Sequence, residues 1–237
     1  MKHLLPAALL ASTSLFAATD AQIISYFQQR VQNPTLTITV ESRQKLQDHQ
    51  GYDIVTTKIS NGQQQQLVTV FTKDAFIFPD IIDVTTGQSI KESLEKQALI
   101  SNLKPLYKNE DPKNIIVLGN DPTKETLVKF TDPECPYCRQ EVENIEAKLK
   151  NYNLKYIFSS VHGRSSLEKE VLIYAQTAKA KSTEEKIKII KKYYAEDATV
   201  DAKVTDEEVQ QMDDLRKKYL GAGIKGVPFY INEKEIM

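Results

Sequence analysis

The segment Thr126-Leu127-Val128-Lys129-Phe130, then Thr131-Asp132-Pro133-Glu134, then Cys135-Pro136-Tyr137-Cys138, decides how the second half of this chain is read. Its opening residues have the composition of a strand, and Asp132-Pro133 marks a turn. Beyond the turn, Cys138, Val142, Ile145 and Leu149 fall at i, i+4, i+7 and i+11, which places all four on one face of a helix. Pro136 suits the first helical position, because the N–H it lacks would have no partner there. Cys135 is thereby put at the N-cap. A strand that turns straight into a helix is one unit of an α/β fold.

Working outward, strands are expected at Ile115 to Leu118 and at Leu154 to Ser159, the first followed by the turn residues Gly119-Asn120-Asp121-Pro122. A helical insert follows in three parts. Leu167, Val171, Tyr174 and Ala178 mark the first. Capping boxes at Ser182–Glu185 and Thr205–Glu208 open the other two, and Gly221 is expected to close the last as its C′ residue. Gly226-Val227-Pro228 leads into a final strand, Phe229-Tyr230-Ile231.

The first half reads differently. After an Asp20 N-cap, Ile24, Phe27 and Val31 recur at helical spacing. Leu36 to Val40, Tyr52 to Ile59 and Leu67 to Phe71 read as strands, with Asn61-Gly62 as a hairpin signal. Ala75 to Phe78 and Ile81 to Val84 are expected to extend that sheet. Residues 91–107 form a charged helical stretch that Pro105 and then Asp111-Pro112 should end. The expected organisation is a small α+β module over 19–90, a linker helix over 91–112 and an α/β domain over 113–237. A helix packed within one domain fits the 91–112 pattern equally well.

Composition limits the function. The chain has 237 residues, 41% hydrophobic and 27% charged, as a folded protein does. Lys+Arg (31) nearly cancels Asp+Glu (32), so bulk attraction to nucleic acid or anionic lipid is excluded as its work. Met1-Lys2-His3, the apolar run Leu4 to Phe16 and the small residues Ala17, Ala18 and Ala21 form the three-part pattern of a secretory signal peptide, with cleavage after a residue between 17 and 21 and the boundary set at 18. No later stretch is long and apolar enough to cross a bilayer. The mature protein is expected to be exported and soluble.

Both cysteines of the chain lie in the one CxxC. At a helix N-cap, the Cys135 thiolate faces unpaired N–H groups and the positive end of the helix dipole, which favours ionisation and nucleophilicity. Cys138, on the inward stripe, is expected to be shielded and to resolve a mixed disulfide formed at Cys135. A purely structural disulfide between them would close a tiny loop and remove little unfolded-state entropy. A metal site would have to recruit His162 to Cys135 and Cys138, still short of a closed zinc set. No metal and no cofactor is expected beyond a redox-active Cys135–Cys138 disulfide, and His162 reads as an ordinary exposed loop residue.

The segment Phe130 to Cys138 resembles the active-site segment of periplasmic thiol–disulfide oxidoreductases of the thioredoxin superfamily, above all the DsbC/DsbG disulfide-isomerase branch. Gly226-Val227-Pro228 resembles that superfamily's cis-proline loop. The resemblance implies catalysis by Cys135 and Cys138 and substrate contacts from Pro136, Tyr137, Val227 and Pro228. It implies a dimerising N-terminal module, exported cysteine-containing proteins as substrates and a membrane redox partner. Rearrangement of wrong disulfides is the activity it suggests. The rivals are net oxidation, as by the DsbA-type enzymes that Val227 resembles, and a holdase chaperone with secondary redox activity. Lys129 stands where several relatives carry a buried acid. It either faces the thiols, favouring thiolate, or points out of the sheet edge. The sequence also stops at Met237 without the last strand and helix usual in such domains.

Overall fold

The computed structural model describes residues 18–31, 33–47, 49–62 and 65–237, so the signal-peptide reading of residues 1–17 lies outside the described residues. The chain divides into two compact units, Met1–Glu95 and Lys96–Met237.

In the first unit, helix α1 (Asp20–Val31) precedes an antiparallel sheet in the order β1 (Thr37–Lys45), β2 (Asp53–Ser60), β3 (Gln65–Lys73), β4 (Phe76–Phe78). Thr19, rather than Asp20, caps α1: its Oγ1 accepts from the Gln22 N–H at 3.3 Å, and Gln22 Oε1 accepts from the Thr19 N–H at 2.8 Å. Asp20 is instead engaged by Arg43 at 2.8 Å. The helix turns Ile23 inward with Phe27 one turn on, against Val55 and Val70, so Ile24 is not the buried position. Asn61-Gly62 sits in the β2–β3 connection, with Gly62 at φ +87. The expected strand at Ile81–Val84 does not join this sheet. Its core, β5 (Ile82–Asp83), pairs with β6 (Gln88–Ser89) as a separate ribbon.

Helix α2 (Ile90–Lys108) runs straight through Pro105, which does not end it. A proline inside a helix costs about 3 kcal/mol. Leu103 and Tyr107 are both buried in the core of the second unit, and full burial of such side chains contributes roughly 1.5–3 kcal/mol each. Packing therefore outweighs the local preference. The stretch expected to be a linker over 91–112 is, from Lys96 on, a core element of the second unit.

That unit holds a four-stranded sheet in the order β10 (Phe229–Asn232), β8 (Glu125–Thr131), β9 (Tyr152–Phe158), β7 (Ile116–Leu118). Only β8 and β9 are parallel. The inward helix is broken at Asn144 into α3 (Pro136–Glu143) and α4 (Ile145–Leu149), yet Cys138, Val142 and Ile145 stay fully or almost fully buried. Helices α5 (Arg164–Thr177), α6 (Thr183–Tyr194) and α7 (Asp206–Gly221) form the insert, and α8 (Glu233–Ile236) follows β10. Cluster by cluster, α3, α4 and α6 pack on one face of the sheet with Leu154, Tyr156 and Phe158. The other face receives α2, α7 and α8 with Val128, Phe130 and Ile157. Gly221 remains helical, and the left-handed residue after α7 is Gly223 at φ +114. Among the described residues no helix is long and apolar enough to cross a membrane.

Candidate active site

The site is built where β8 meets α3. After Thr131, the Asp132 carboxylate accepts from the Glu134 N–H at 2.8 Å, and the Asp132 carbonyl accepts from the Cys135 N–H at 3.3 Å. This closes the turn and delivers Cys135 to the N-cap in an extended conformation (φ −73, ψ 120), with Pro136 in the first turn of α3. The Cys135 side chain makes no capping hydrogen bond to the helix backbone. Its sulfur lies 3.5 Å from the carbonyl oxygen of Val227, and the Val227–Pro228 peptide is cis. Two segments ninety-two residues apart thus meet at one sulfur.

Cys135 and Cys138 are both unpaired thiols and both buried, at 5% and 0% exposure. Pro136 and Tyr137 between them are exposed, Tyr137 at 69%. Burial pushes the Cys138 thiol up to about 12, against the opposing pull of bonds from the Thr131 hydroxyl and the Asp132 backbone. Thr131 Oγ1 is tied to the Tyr194 hydroxyl at 2.8 Å. Beside the exposed start of α3, a cleft of about 490 Å³ opens between Arg139 and Gln140 on one side and Lys191, Tyr194 and Glu196 on the other.

The structure corrects one expectation and decides another that the sequence left open. His162 is not an idle loop residue: its Nδ1 lies 2.6 Å from the buried Asp132 carboxylate, which also takes the Val161 N–H at 2.9 Å and the Ser166 hydroxyl at 2.5 Å. Burial opposes the Asp132 charge, but the bonds from Ser166, His162, Glu134 and Val161 outweigh it and hold this carboxyl below its ordinary range. The turn before Cys135 is thereby pinned to the loop after β9. Asp132 lies within the motif, but thirty residues separate it from His162 and no local pattern links them. Beneath lies Glu170, fully buried and accepting from Ser160; burial pushes its carboxyl well above the usual range. Among the described residues no three His, Cys, Asp or Glu side chains gather as a metal site would need.

The expectation left open concerns Lys129. Because β10 pairs with β8, Lys129 is on a central strand and does not point from a sheet edge. Val128 and Phe130 pack on the face away from the cysteines, so Lys129 projects into the layer that holds Cys135 and Cys138. It is completely buried, and burial brings it down to about 8.

With this geometry in view, the profile of the thioredoxin family matches residues 111–236. The chain belongs to the thioredoxin family. Its thioredoxin domain is an α/β domain carrying a helical insert. Over a longer span the chain is similar in fold to Helicobacter pylori DsbG, at 19% identity and a TM-score of 0.54, covering 89% of this chain and 98% of that one. It is also similar to the thiol-disulfide exchange protein α-DsbA2 of Wolbachia pipientis (15% identity, TM-score 0.40, 58% of this chain and 86% of that one). A third match is the catalytic domain of Proteus mirabilis ScsC (20% identity, TM-score 0.35, 58% and 85%). Among curated proteins the sequence finds no match. In the thioredoxin domain all six candidate residues, Cys135, Pro136, Tyr137, Cys138, Val227 and Pro228, stand at the junction of α3 and the loop before β10.

Proposed function

We propose that this protein is a periplasmic thiol–disulfide oxidoreductase that rearranges disulfides in exported, cysteine-containing proteins. The observation that carries the reading is the Cys135 sulfur at the head of α3, 3.5 Å from the Val227 carbonyl. A thiol lies beside a stretch of half-buried backbone that a substrate strand can pair with. Cys135 attacks one sulfur of a non-native disulfide, forms a mixed disulfide and releases the other substrate sulfur as a thiolate. A second substrate thiol then attacks the mixed disulfide, re-pairing the substrate and returning Cys135. Tyr137 and Pro136 flank the attacked bond, and Val227 and Pro228 hold the substrate backbone.

The buried Cys138 supports rearrangement over simple reduction. Pushed up to about 12, its thiol is mostly protonated at neutral pH, so a substrate thiol has the first opportunity to attack. When none does, Cys138 attacks Cys135, the substrate leaves reduced, and a membrane redox partner restores the dithiol. Export is supported by the signal-like pattern of residues 1–18, and a homodimer through the first unit by the exposed Leu67, Phe76, Ile82 and Val84. Val227 favours a second reading, net oxidation of reduced exported proteins by the Cys135–Cys138 disulfide.

Refolding of a disulfide-containing ribonuclease in glutathione buffer separates the two. Faster recovery from the scrambled form is expected; acceleration only from the fully reduced form would establish oxidation instead. No acceleration of either would overturn both.

A further inference from the structure

The exchange reaction uses two sulfurs and leaves a third reactive group of the same buried layer without a role. Lys129 has no exposed surface, and among the described residues its Nζ has no hydrogen-bond partner. An unpaired ammonium in such a place is unfavourable unless some charge compensates it. The groups that face it are few. Its cross-strand neighbours are Tyr156 on β9 and Tyr230 on β10, with Nζ 4.9 and 5.4 Å from their ring centres. Such ring faces stabilise a cation modestly. From α3 come Cys138 and Glu141, from its N-cap Cys135, and from α4 Lys148. Glu141 is already engaged by Lys148 and by the Tyr230 hydroxyl at 2.7 Å. Of the charges that act to keep Lys129 protonated, a Cys138 thiolate is the strongest, followed by Glu141. Within this set only the cysteine sulfurs change charge when disulfides are exchanged.

We propose that Lys129 is the counter-charge of Cys138: its ammonium stabilises the thiolate that resolves the mixed disulfide and loses that partner when the Cys135–Cys138 disulfide closes. The inference rests on the exchange reaction above for its functional meaning. In the resolving step Cys138 releases its proton to solvent and the thiolate attacks the Cys135 sulfur. The bond from Cys135 to the substrate sulfur breaks, the Cys135–Cys138 bond forms, and the substrate sulfur leaves as a thiolate that takes up a proton. Over the two steps the substrate gains two electrons and the protein dithiol loses two. Lys129 faces an anion before the attack and a neutral disulfide after it. Because the resting Cys138 is a thiol at neutral pH, Lys129 acts on the small thiolate fraction that attacks: it speeds the resolving step and leaves the balance between dithiol and disulfide almost unchanged. Burial sets the range: with Lys129 brought down to about 8, its charge is present at neutral pH and fades above.

The test needs no substrate. In a Cys135→Ser background, the rate of Cys138 alkylation by iodoacetamide is followed from about pH 7 to pH 9.5. The logarithm of the rate is expected to rise with pH and bend downward near pH 8, where Lys129 loses its proton. Lys129→Met should lower the rate at neutral pH by about tenfold and remove the bend, and Lys129→Arg should keep the rate without the bend. A change in thiol access alone would shift the whole curve and leave its shape. In the two-cysteine protein, Lys129→Met should slow closure of the Cys135–Cys138 disulfide from the mixed disulfide with glutathione by about tenfold at neutral pH. Unchanged alkylation profiles together with an unchanged closure rate would overturn the proposal. A wild-type protein that shows the bend but accelerates no disulfide rearrangement would overturn the reaction and leave the Lys129–Cys138 coupling standing.

Discussion

The two faces of strand β8 meet different surroundings, although their side chains alternate along the same seven residues. One face carries Val128 and Phe130 into an apolar layer with Leu103, Leu215 and Tyr219, where the Phe130 and Tyr219 rings lie 4.8 Å apart. The other carries Lys129 and Thr131 toward Cys138, Tyr156 and Tyr194. Both faces are equally buried, but only the second keeps polar atoms without hydrogen-bond partners, at Lys129 Nζ and Tyr156 Oη. The first face is built to hold the domain together. The second gives up some of that stability to keep ionisable groups beside two sulfurs.

The contrast breaks most visibly under substitution of the sulfurs. Cys135→Ser is expected to reduce disulfide rearrangement by about three orders of magnitude or more while leaving thermal unfolding almost unchanged, since one atom is exchanged at the helix N-cap. Cys138→Ser should accumulate mixed disulfides with substrate, visible on a non-reducing gel. On the opposite face, Phe130→Ala should cost about 3–5 kcal/mol in urea unfolding, with Cys135 still alkylated in the fraction that stays folded. If Phe130→Ala were neutral for stability, the division of labour between the faces would be wrong.

Lys129 sharpens the comparison through pH. Its folded value of about 8 lies below the ordinary 10.5, so below pH 8 both folded and unfolded chains are protonated and the unfavourable buried charge is fully present. Raising the pH removes the proton from the folded state first, and stability should rise. The span of 2.5 pH units corresponds to on the order of 3 kcal/mol over the full range. Cys138 acts oppositely: raised from 9.0 to about 12, it makes folding less favourable as the unfolded thiol ionises above pH 9. The clean window is therefore between about pH 8 and pH 9. Urea unfolding of the reduced protein should show stability rising there, and Lys129→Met should be more stable at neutral pH and flat across the window.

Asp132→Asn is expected to cost about 1–3 kcal/mol at neutral pH, because its carboxylate holds bonds from the Ser166 and His162 side chains and from three backbone N–H groups, those of Glu134, Val161 and His162. As this carboxyl lies below its ordinary 3.8, the wild-type advantage is present above that pH and is lost as the pH falls through the folded value. Acid unfolding curves of the two proteins should therefore converge at low pH. The smallest effect belongs to Tyr137→Ala. With that side chain 69% exposed, stability should change by less than about 0.5 kcal/mol, and the loss should appear in substrate capture, as a raised KM.

Much of this was legible one element at a time. The stripe Cys138, Val142, Ile145 survives the break at Asn144, and the capping box at Thr205–Glu208 is present as read. Where the reading missed, a partner outside the stretch decided. Pro105 stayed helical because Leu103 and Tyr107 are buried. The strand at Ile81–Val84 left the main sheet because the Gln88–Ser89 backbone pairs with it.

The amino-acid order determined by itself that two thiols stand at a helix head, one capping it and one a turn further on the inward face, because helical periodicity is a local property. It could not determine what surrounds them. Lys129 was compatible with a sheet edge or a buried wall until β10 paired with β8, and His162 with an idle loop until Asp132 reached it. The environment of an ionisable group is set by chain segments many residues away, and only the tertiary structure brings those segments together.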